Sequence, residues 1–183
     1  LKTCVCASIT EINCTTNIVI LQHPSETKHA KNTARLVPLT IPSAQIAIGE
    51  TPEDFLSIRQ QIEGLPNVGV LYPAPSSADF SEAARSAPID TLFFLDGTWR
   101  KALKLWRLNP WLWTMPAYRI NPTQPSSYGI RKTTQANSLS TLEAVSYALK
   151  LNESIETDPL NKLQQAMQSH WLDSHHRSGN NAK

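Results

Sequence analysis

The stretch LFFLDGTWRKALKLW, residues 92–106, places a carboxylate between an apolar run and a basic segment. A carboxylate at Asp96 can act as a general base, hold a cationic ligand or cap a helix. Gly97 permits a sharp turn or a close approach of ligand to the backbone, and Thr98 is predicted to cap the helix that follows. If residues 91–95 form a strand of a parallel sheet, Asp96 lies at the carboxyl end, where such sheets bind ligands. The pattern therefore predicts a ligand site at Asp96, with simple helix capping as the alternative.

The segment after this turn has the spacing of a helix from 98 to about 108. Trp99, Leu103 and Trp106 share one side, which we interpret as the side facing the core. The alternative for Trp99, which is nearest the strand end, is that it faces the pocket. The opposite side is basic and carries Arg100, Lys104 and Arg107, with Lys101 nearby. We expect no acidic residue to offset these charges. A solvated basic surface is the ordinary explanation, but its position beside a strand-end carboxylate predicts contact with a phosphate backbone.

The elements that position these residues are predicted from runs of apolar residues. Buried strands are expected at 17–22, 44–48, 68–72, 91–95 and 117–120. Helical patterns lie between and after them, with starts predicted at Pro52, at Ser140 and near Pro159 and the last ending at Trp171. Ser140 and Glu143 have the spacing of a capping box. Strands alternating with helices predict an α/β fold with a mostly parallel sheet and helices on both faces.

Composition limits the classes of protein to consider. The 183 residues, 40% hydrophobic and 17% charged, fit a single domain over 1–183, ending in a polar tail at 173–183. His175 and His176 in that tail are interpreted as part of a frayed end. No apolar run reaches the length of about 18 residues that a membrane span needs, and no secretion signal is recognised, so no membrane partner is expected. The net charge of +2 is too small to indicate a nucleic-acid partner by itself.

The three cysteines, Cys4, Cys6 and Cys14, are all near the start of the sequence. An odd number does not predict a disulfide framework, and free thiols fit a reducing, cytoplasmic location. Cys4 and Cys6 can supply two thiolates to zinc, but a structural zinc site needs four ligands. The alternative is a pair of idle thiols.

Several motifs together resemble one family. DGTW at 96–99 is similar to the Asp-x-Thr-Trp signature of the DTW-domain proteins, the tRNA-uridine aminocarboxypropyltransferases. HPSE at 23–26, NT at 32–33, YGIR at 128–131 and STLEA at 140–144 agree with that family in the same order. The resemblance covers almost the whole chain.

The resemblance implies a fold related to the SPOUT superfamily, with a C-terminal knot that holds S-adenosylmethionine (SAM). It also implies an activity: transfer of the 3-amino-3-carboxypropyl group of SAM to a ring nitrogen of a tRNA uridine, which releases methylthioadenosine. SAM and tRNA are then the expected small-molecule and macromolecular partners. Family members carry a four-cysteine zinc site at the N-terminus, and Cys4 and Cys6 resemble its second half. Residues 1–16 are thus expected to be the remnant of that segment, with zinc only where a longer chain supplies two more cysteines.

The expected site residues follow from this resemblance together with their predicted positions. Asp96 is the candidate base, or else a SAM ligand, and His23 and Glu26 join it at the same sheet edge. Leu139, Ser140 and Thr141 are expected to hold the SAM carboxylate at a helix N-terminus. Glu143 either contacts the SAM amino group or only completes the capping box. Arg131 binds the SAM carboxylate, an RNA phosphate or an acidic residue in a surface salt bridge. The expected RNA-binding residues are Lys28, Lys31, Arg35, Arg100, Lys104, Arg107 and Lys132.

Three other functions stay open at this point. A SPOUT-type RNA methyltransferase would use the same donor and transfer its methyl group. A sister aminocarboxypropyltransferase would act on rRNA. A non-catalytic RNA-binding module would keep the basic surface without turnover.

Overall fold

The computed structural model describes residues 4–122, 126–129 and 139–178, with side chains described as far as Trp171. The described residues contain a six-stranded sheet in which every pair of neighbours is parallel, in the order β2-β1-β5-β3-β6-β4. The strands are β1 Asn17–Gln22, β2 Gln45–Ile48, β3 Val68–Leu71, β4 Ala78–Asp79, β5 Thr91–Asp96 and β6 Ala117–Arg119. The predicted α/β class with a parallel sheet is confirmed.

Helices cover both faces of this sheet. They are α1 Val37–Thr40, α2 Leu56–Ile62, α3 Phe80–Ser86, α4 Trp99–Leu108, α5 Thr141–Glu153 and α6 Asp158–Ser178. The strand side chains alternate between two cores, because successive residues of a strand point to opposite faces. Ile20 and Phe94 pack with α1, α3, α5 and α6, whereas Leu21 and Phe93 pack with α2 and α4. This double burial explains why β1 and β5 are almost entirely apolar.

Some predicted boundaries differ from the structure, and two elements were not predicted. The helix expected from Pro52 begins at Leu56, because the Asp54 carboxylate accepts bonds from the N–H groups of Glu50 and Thr51 and holds a turn there. The last helix continues past Trp171 to Ser178. The sequence analysis also missed β4 and α3, the latter capped by Asp79, which accepts a bond from the Ser81 N–H.

Helix α4 presents a different side to the core than predicted. Ala102 and Leu105 are buried, whereas Trp99 is 40% exposed and Leu103 37% exposed. Trp106 is half-buried and stacks on Tyr72, with ring centroids 4.9 Å apart. The interpretation of Trp99 and Leu103 as core residues was therefore wrong.

The C-terminal knot that the resemblance implies stays a prediction, because residues 130–138 lie outside the described residues. Arg131 and Lys132 belong to the same stretch. Within the described part of the chain, no helix combines the length and the apolar character that a membrane crossing requires.

Candidate active site

The site is built around the buried carboxylate of Asp96, the last residue of β5. Its register partner on β1 is Gln22, whose side-chain amide donates to Asp96 Oδ2 over 2.9 Å. Asn32 Nδ2 donates to the same oxygen over 2.7 Å, and the Thr141 hydroxyl donates to Oδ1 over 2.5 Å. Three segments that are distant in the sequence thus meet at one carboxylate. Asp96 is 4% exposed, so these bonds replace most of its contact with water.

The turn after Asp96 is tight, as the sequence predicted. A Cβ atom at Gly97 would lie only 2.8 Å from the Cβ atom of Lys101, so a side chain at this position would clash. Thr98 occupies the N-cap position of α4, but its side chain makes no capping bond, contrary to the prediction.

A pocket opens beside Asp96. Residues from the segment after β1, the segment around Asn32, the end of β5 and the turn after it, the segment around Tyr128 and the start of α5 line it: Glu26, His29, Lys31, Asn32, Thr33, Asp96, Gly97, Thr98, Tyr128 and Thr141. Two hydrogen bonds join segments beside it. The Tyr128 hydroxyl donates to the Lys31 carbonyl over 2.5 Å, and the Leu142 N–H donates to Thr33 Oγ1 over 3.4 Å.

His23 follows β1, and its backbone N–H donates to the Asp96 carbonyl over 3.1 Å. Its Nδ1 accepts a bond from the Ser25 N–H, and its Nε2 lies 2.7 Å from Glu50 Oε2. Both ring nitrogens are therefore engaged, and His23 is not among the lining residues of the pocket. Lys104 Nζ lies 2.6 Å from the other Glu50 oxygen, and this bond, aided by His23, holds the pKa of Glu50 below its ordinary value.

Glu26 does line the pocket, and its Oε1 lies 2.6 Å from Lys101 Nζ. The basic side of α4 is thus partly neutralised, by Glu26 at Lys101 and by Glu50 at Lys104. The expectation that no acidic residue offsets this helix was wrong, because both partners come from loops after β1 and β2.

Glu143 completes the predicted capping box with Ser140 at the start of α5. Its two oxygens accept four bonds, from the Ser140 N–H, the Ser126 hydroxyl, and the N–H and hydroxyl of Ser127. Burial acts to raise the pKa of Glu143, but these bonds outweigh it and keep that pKa below its ordinary value. A carboxylate has about four lone-pair positions, so this arrangement favours the structural role over contact with a SAM amino group.

The other residues that were expected to bind SAM lie around the same helix N-terminus. Ser140 is buried, and its hydroxyl donates to Gln164 on α6. The N–H groups of Ser140, Leu142 and Glu143 already have partners. Thr141 lines the pocket, and Leu139 precedes it half-buried.

The predicted RNA-binding residues lie in different surroundings. Lys31 lines the pocket, with Nζ 5.3 Å from the centre of the Trp171 ring. Arg35 donates to the Ala30 carbonyl over 2.7 Å. Lys28, Arg100 and Arg107 are exposed. Lys132 and Arg131 lie outside the described residues.

Cys4 and Cys6 are exposed near the chain start. The side-chain bond between the two thiols lowers the pKa of Cys4 and raises that of Cys6. In the described part of the chain, no three His, Cys, Asp or Glu residues are close enough to hold a metal ion. Two thiols are half of a structural zinc site, so these residues do not form one by themselves.

Sequence reasoning missed Gln22 and Glu50, and it assigned no individual role to Asn32 or Tyr128, which lie in the NT and YGIR motifs. Gln22 offered one signal, because it is a polar residue at the end of an otherwise apolar strand. Nothing in the sequence pattern connects Glu50 with His23 or Lys104.

Comparisons with known proteins agree with the motifs. A family model described as the DTW domain matches residues 1–172. A protein of Drosophila melanogaster named tRNA-uridine aminocarboxypropyltransferase 2 is 32% identical over 142 residues, which cover 75% of this chain and 56% of that protein. Proteins of the same name from Macaca fascicularis and Mus musculus are 27% and 25% identical, each covering 83% of this chain and 53% of the relative. The chain spans about half the length of these curated relatives.

No solved structure matches the chain significantly. The family model spans almost all of the chain, including every residue of the Asp96 site. The chain therefore belongs to the DTW domain family.

Proposed function

We propose that this protein transfers the 3-amino-3-carboxypropyl group of SAM to a ring nitrogen of a tRNA uridine and releases methylthioadenosine. Membership of the DTW domain family and the names of the relatives support this reaction. The observation that carries the proposal is the buried Asp96 carboxylate at a pocket, held by three neutral donors from different segments.

The pocket offers a carboxylate to the cationic groups of SAM, and Lys31 in its lining offers a positive charge to the SAM carboxylate. When bound, SAM supplies the aminocarboxypropyl group on a positively charged sulfur, and its amino group is also cationic. The three groups that donate to Asp96 are all neutral, so its negative charge is not compensated by them. Glu26 adds a second carboxylate to the lining, although Lys101 pairs with it. The carboxylate of Asp96 therefore fits the cationic groups of SAM.

Asp96 is our candidate for the base that removes the uridine proton. Among the residues that the structure describes, its Oδ2 accepts two bonds and its Oδ1 one, which leaves an acceptor position on Oδ1 for a ligand. A ring N–H of uridine becomes a good nucleophile only after deprotonation, so a fixed carboxylate near the electrophilic carbon is the main requirement. Lys28, Lys31, Arg35, Arg100 and Arg107 would contact RNA phosphates around this pocket.

The test uses unmodified tRNA and two batches of SAM, one labelled in the methyl group and one in the carboxyl group. Label that enters tRNA only from the carboxyl batch would establish aminocarboxypropyl transfer. Label from the methyl batch would instead assign a methyltransferase. Transfer from neither batch to tRNA, followed by the same assay on rRNA, would separate a different RNA substrate from a binding module without turnover.

A further inference from the structure

Helix α4 and the turn after it expose an unusual set of side chains. We call Trp99, Arg100, Leu103, Arg107 and Trp113 the α4 outer face. Trp99, Leu103 and Arg107 are spaced by four residues and therefore follow one another along the helix surface. Trp113 is 55% exposed, the most exposed of the large apolar side chains on the described part of the chain. Such a concentration of exposed tryptophan and arginine is typical of a binding surface.

The Trp113 ring is fixed in its exposed position. Its Nε1 donates to the Trp106 carbonyl over 2.9 Å, and the centroids of the Trp113 and Trp106 rings are 6.3 Å apart. Trp106 in turn stacks on the buried Tyr72. A ring held from behind in this way loses little conformational entropy when a flat partner stacks on it.

The charge of this face identifies the kind of partner. Lys101 and Lys104 are paired with Glu26 and Glu50. Arg100 and Arg107 have no ion-pair partner among the residues that the structure describes, so they leave a positive field around the two tryptophans. A polyanion with flat apolar groups matches both properties, because nucleobases stack on aromatic rings while arginine contacts the phosphates.

The position of α4 connects this face with the Asp96 pocket. The helix begins at Trp99, directly after Thr98, which lines the pocket. Its ten residues extend about 15 Å, enough for a few nucleotides of an unpaired strand.

We propose that the α4 outer face binds unpaired nucleotides next to the uridine that is modified, with Trp113 stacking on a base and Arg107 contacting a phosphate. This inference rests on the proposed function and extends it: the substrate would present its uridine in a single-stranded region. A regular duplex keeps its bases stacked inside and would not fit.

The experiment measures binding of two probes, a ten-nucleotide oligouridylate and an inorganic polyphosphate of similar charge. The variants are Trp113→Ala, Trp113→Phe and Arg107→Gln. The control is Leu39→Ala, since Leu39 is also exposed but lies in α1 on the opposite face of the sheet. Circular dichroism checks that each variant is folded, and sedimentation measures the oligomeric state.

We expect Trp113→Ala to weaken oligouridylate binding by about 5- to 100-fold, the range for one stacked base, and to leave polyphosphate binding unchanged. Trp113→Phe should retain most of the affinity, and Leu39→Ala all of it. Arg107→Gln should weaken both probes and lower the salt dependence by about 0.7 for one phosphate contact.

Equal oligouridylate binding by Trp113→Ala and the unaltered protein would overturn the inference. So would a change from dimer to monomer in Trp113→Ala with unaltered oligouridylate binding, because a second copy of the chain would then be the occupant. These results are distinguishable from failure of the proposed function. Labelled SAM can transfer its group to tRNA whether or not Trp113 affects binding, and Trp113 can affect binding in a protein that transfers nothing.

Discussion

Gln22 and Asp96 are register partners at the ends of two neighbouring parallel strands, and the Gln22 amide donates to the Asp96 carboxylate over 2.9 Å. Asn32 approaches the same oxygen over 2.7 Å. Neutral donors orient the carboxylate without pairing its charge, which distinguishes it from Glu26 and Glu50, both paired with lysines. The orientation of Asp96 is therefore fixed while its attraction for a cation is kept.

Replacement of Asp96 by Asn is the direct test of its role. We expect Asp96→Asn to reduce transfer by about 100- to 10,000-fold, the usual range for loss of a general base, while SAM binding largely survives. The N–H₂ group of the new amide would face hydrogen-bond donors that need an acceptor, which can destabilise the fold. A thermal melt must therefore show that the variant is folded under the assay conditions. A strong loss of SAM binding, measured by calorimetry, would instead assign Asp96 to holding SAM.

Asn32 is expected to act through Asp96 as a positioning residue. Asn32→Ala removes a hydrogen bond to a charged group and should lower the free energy of unfolding by about 1.5 to 3 kcal/mol. It should also lower kcat by about 10- to 100-fold with little change in the KM for tRNA, because the carboxylate is no longer held in place. The matched control is Gln60→Ala on the exposed side of α2. A loss of stability without a change in kcat would limit Asn32 to a structural role.

Glu143 should make stability depend on acid pH. Its pKa in the folded protein is below its ordinary value of 4.5, so its contribution to the free energy of unfolding is complete above that value. That contribution is lost as the pH falls through the lower folded pKa, because the unfolded chain takes up the proton first. Urea unfolding of the unaltered protein and of Glu143→Gln should therefore differ most near neutral pH and converge in acid. A difference that is independent of pH would contradict this.

Arg100 and Lys104 provide a matched pair for testing the RNA surface. Both substitutions, Arg100→Gln and Lys104→Gln, remove one positive charge from α4. We expect Arg100→Gln to produce the larger decrease in the salt dependence of tRNA binding, by about 1. Lys104 must first leave Glu50, 2.6 Å away, before it can contact a phosphate. The measurement is the slope of log Kd against log salt concentration. Equal slopes for the two variants would contradict the expectation that the ion pair with Glu50 limits the contact of Lys104 with RNA.

The sequence predicts the parts of this site that depend on local pattern. Apolar runs located β1 and β5, and with them the position of Asp96 at a sheet edge. The capping box of Ser140 and Glu143 was predicted because its chemistry lies within four residues. Gln22, Asn32 and Glu50 were not assigned roles, because their partners are set by strand order and loop packing.

The side of α4 that faces the core was predicted wrongly for a different reason. Bulky Trp99, Leu103 and Trp106 dominate its hydrophobic pattern, so the pattern places them inward. The buried stripe instead contains Ala102, a small residue that contributes little to hydropathy but allows the helix to approach the sheet. Large exposed aromatic residues can thus be mistaken for core residues.

The three partners of Asp96 are 74, 64 and 45 positions away in the chain. Contacts of such high sequence separation form late and slow the folding of a domain, because long loops must close first. No short peptide from this protein can reproduce the carboxylate environment, and a circular permutant cut in an exposed loop should retain it if the sheet still assembles. Recovery of Asp96-dependent activity during refolding would consequently report assembly of β1, the Asn32 segment and α5 around the end of β5, rather than formation of any single helix.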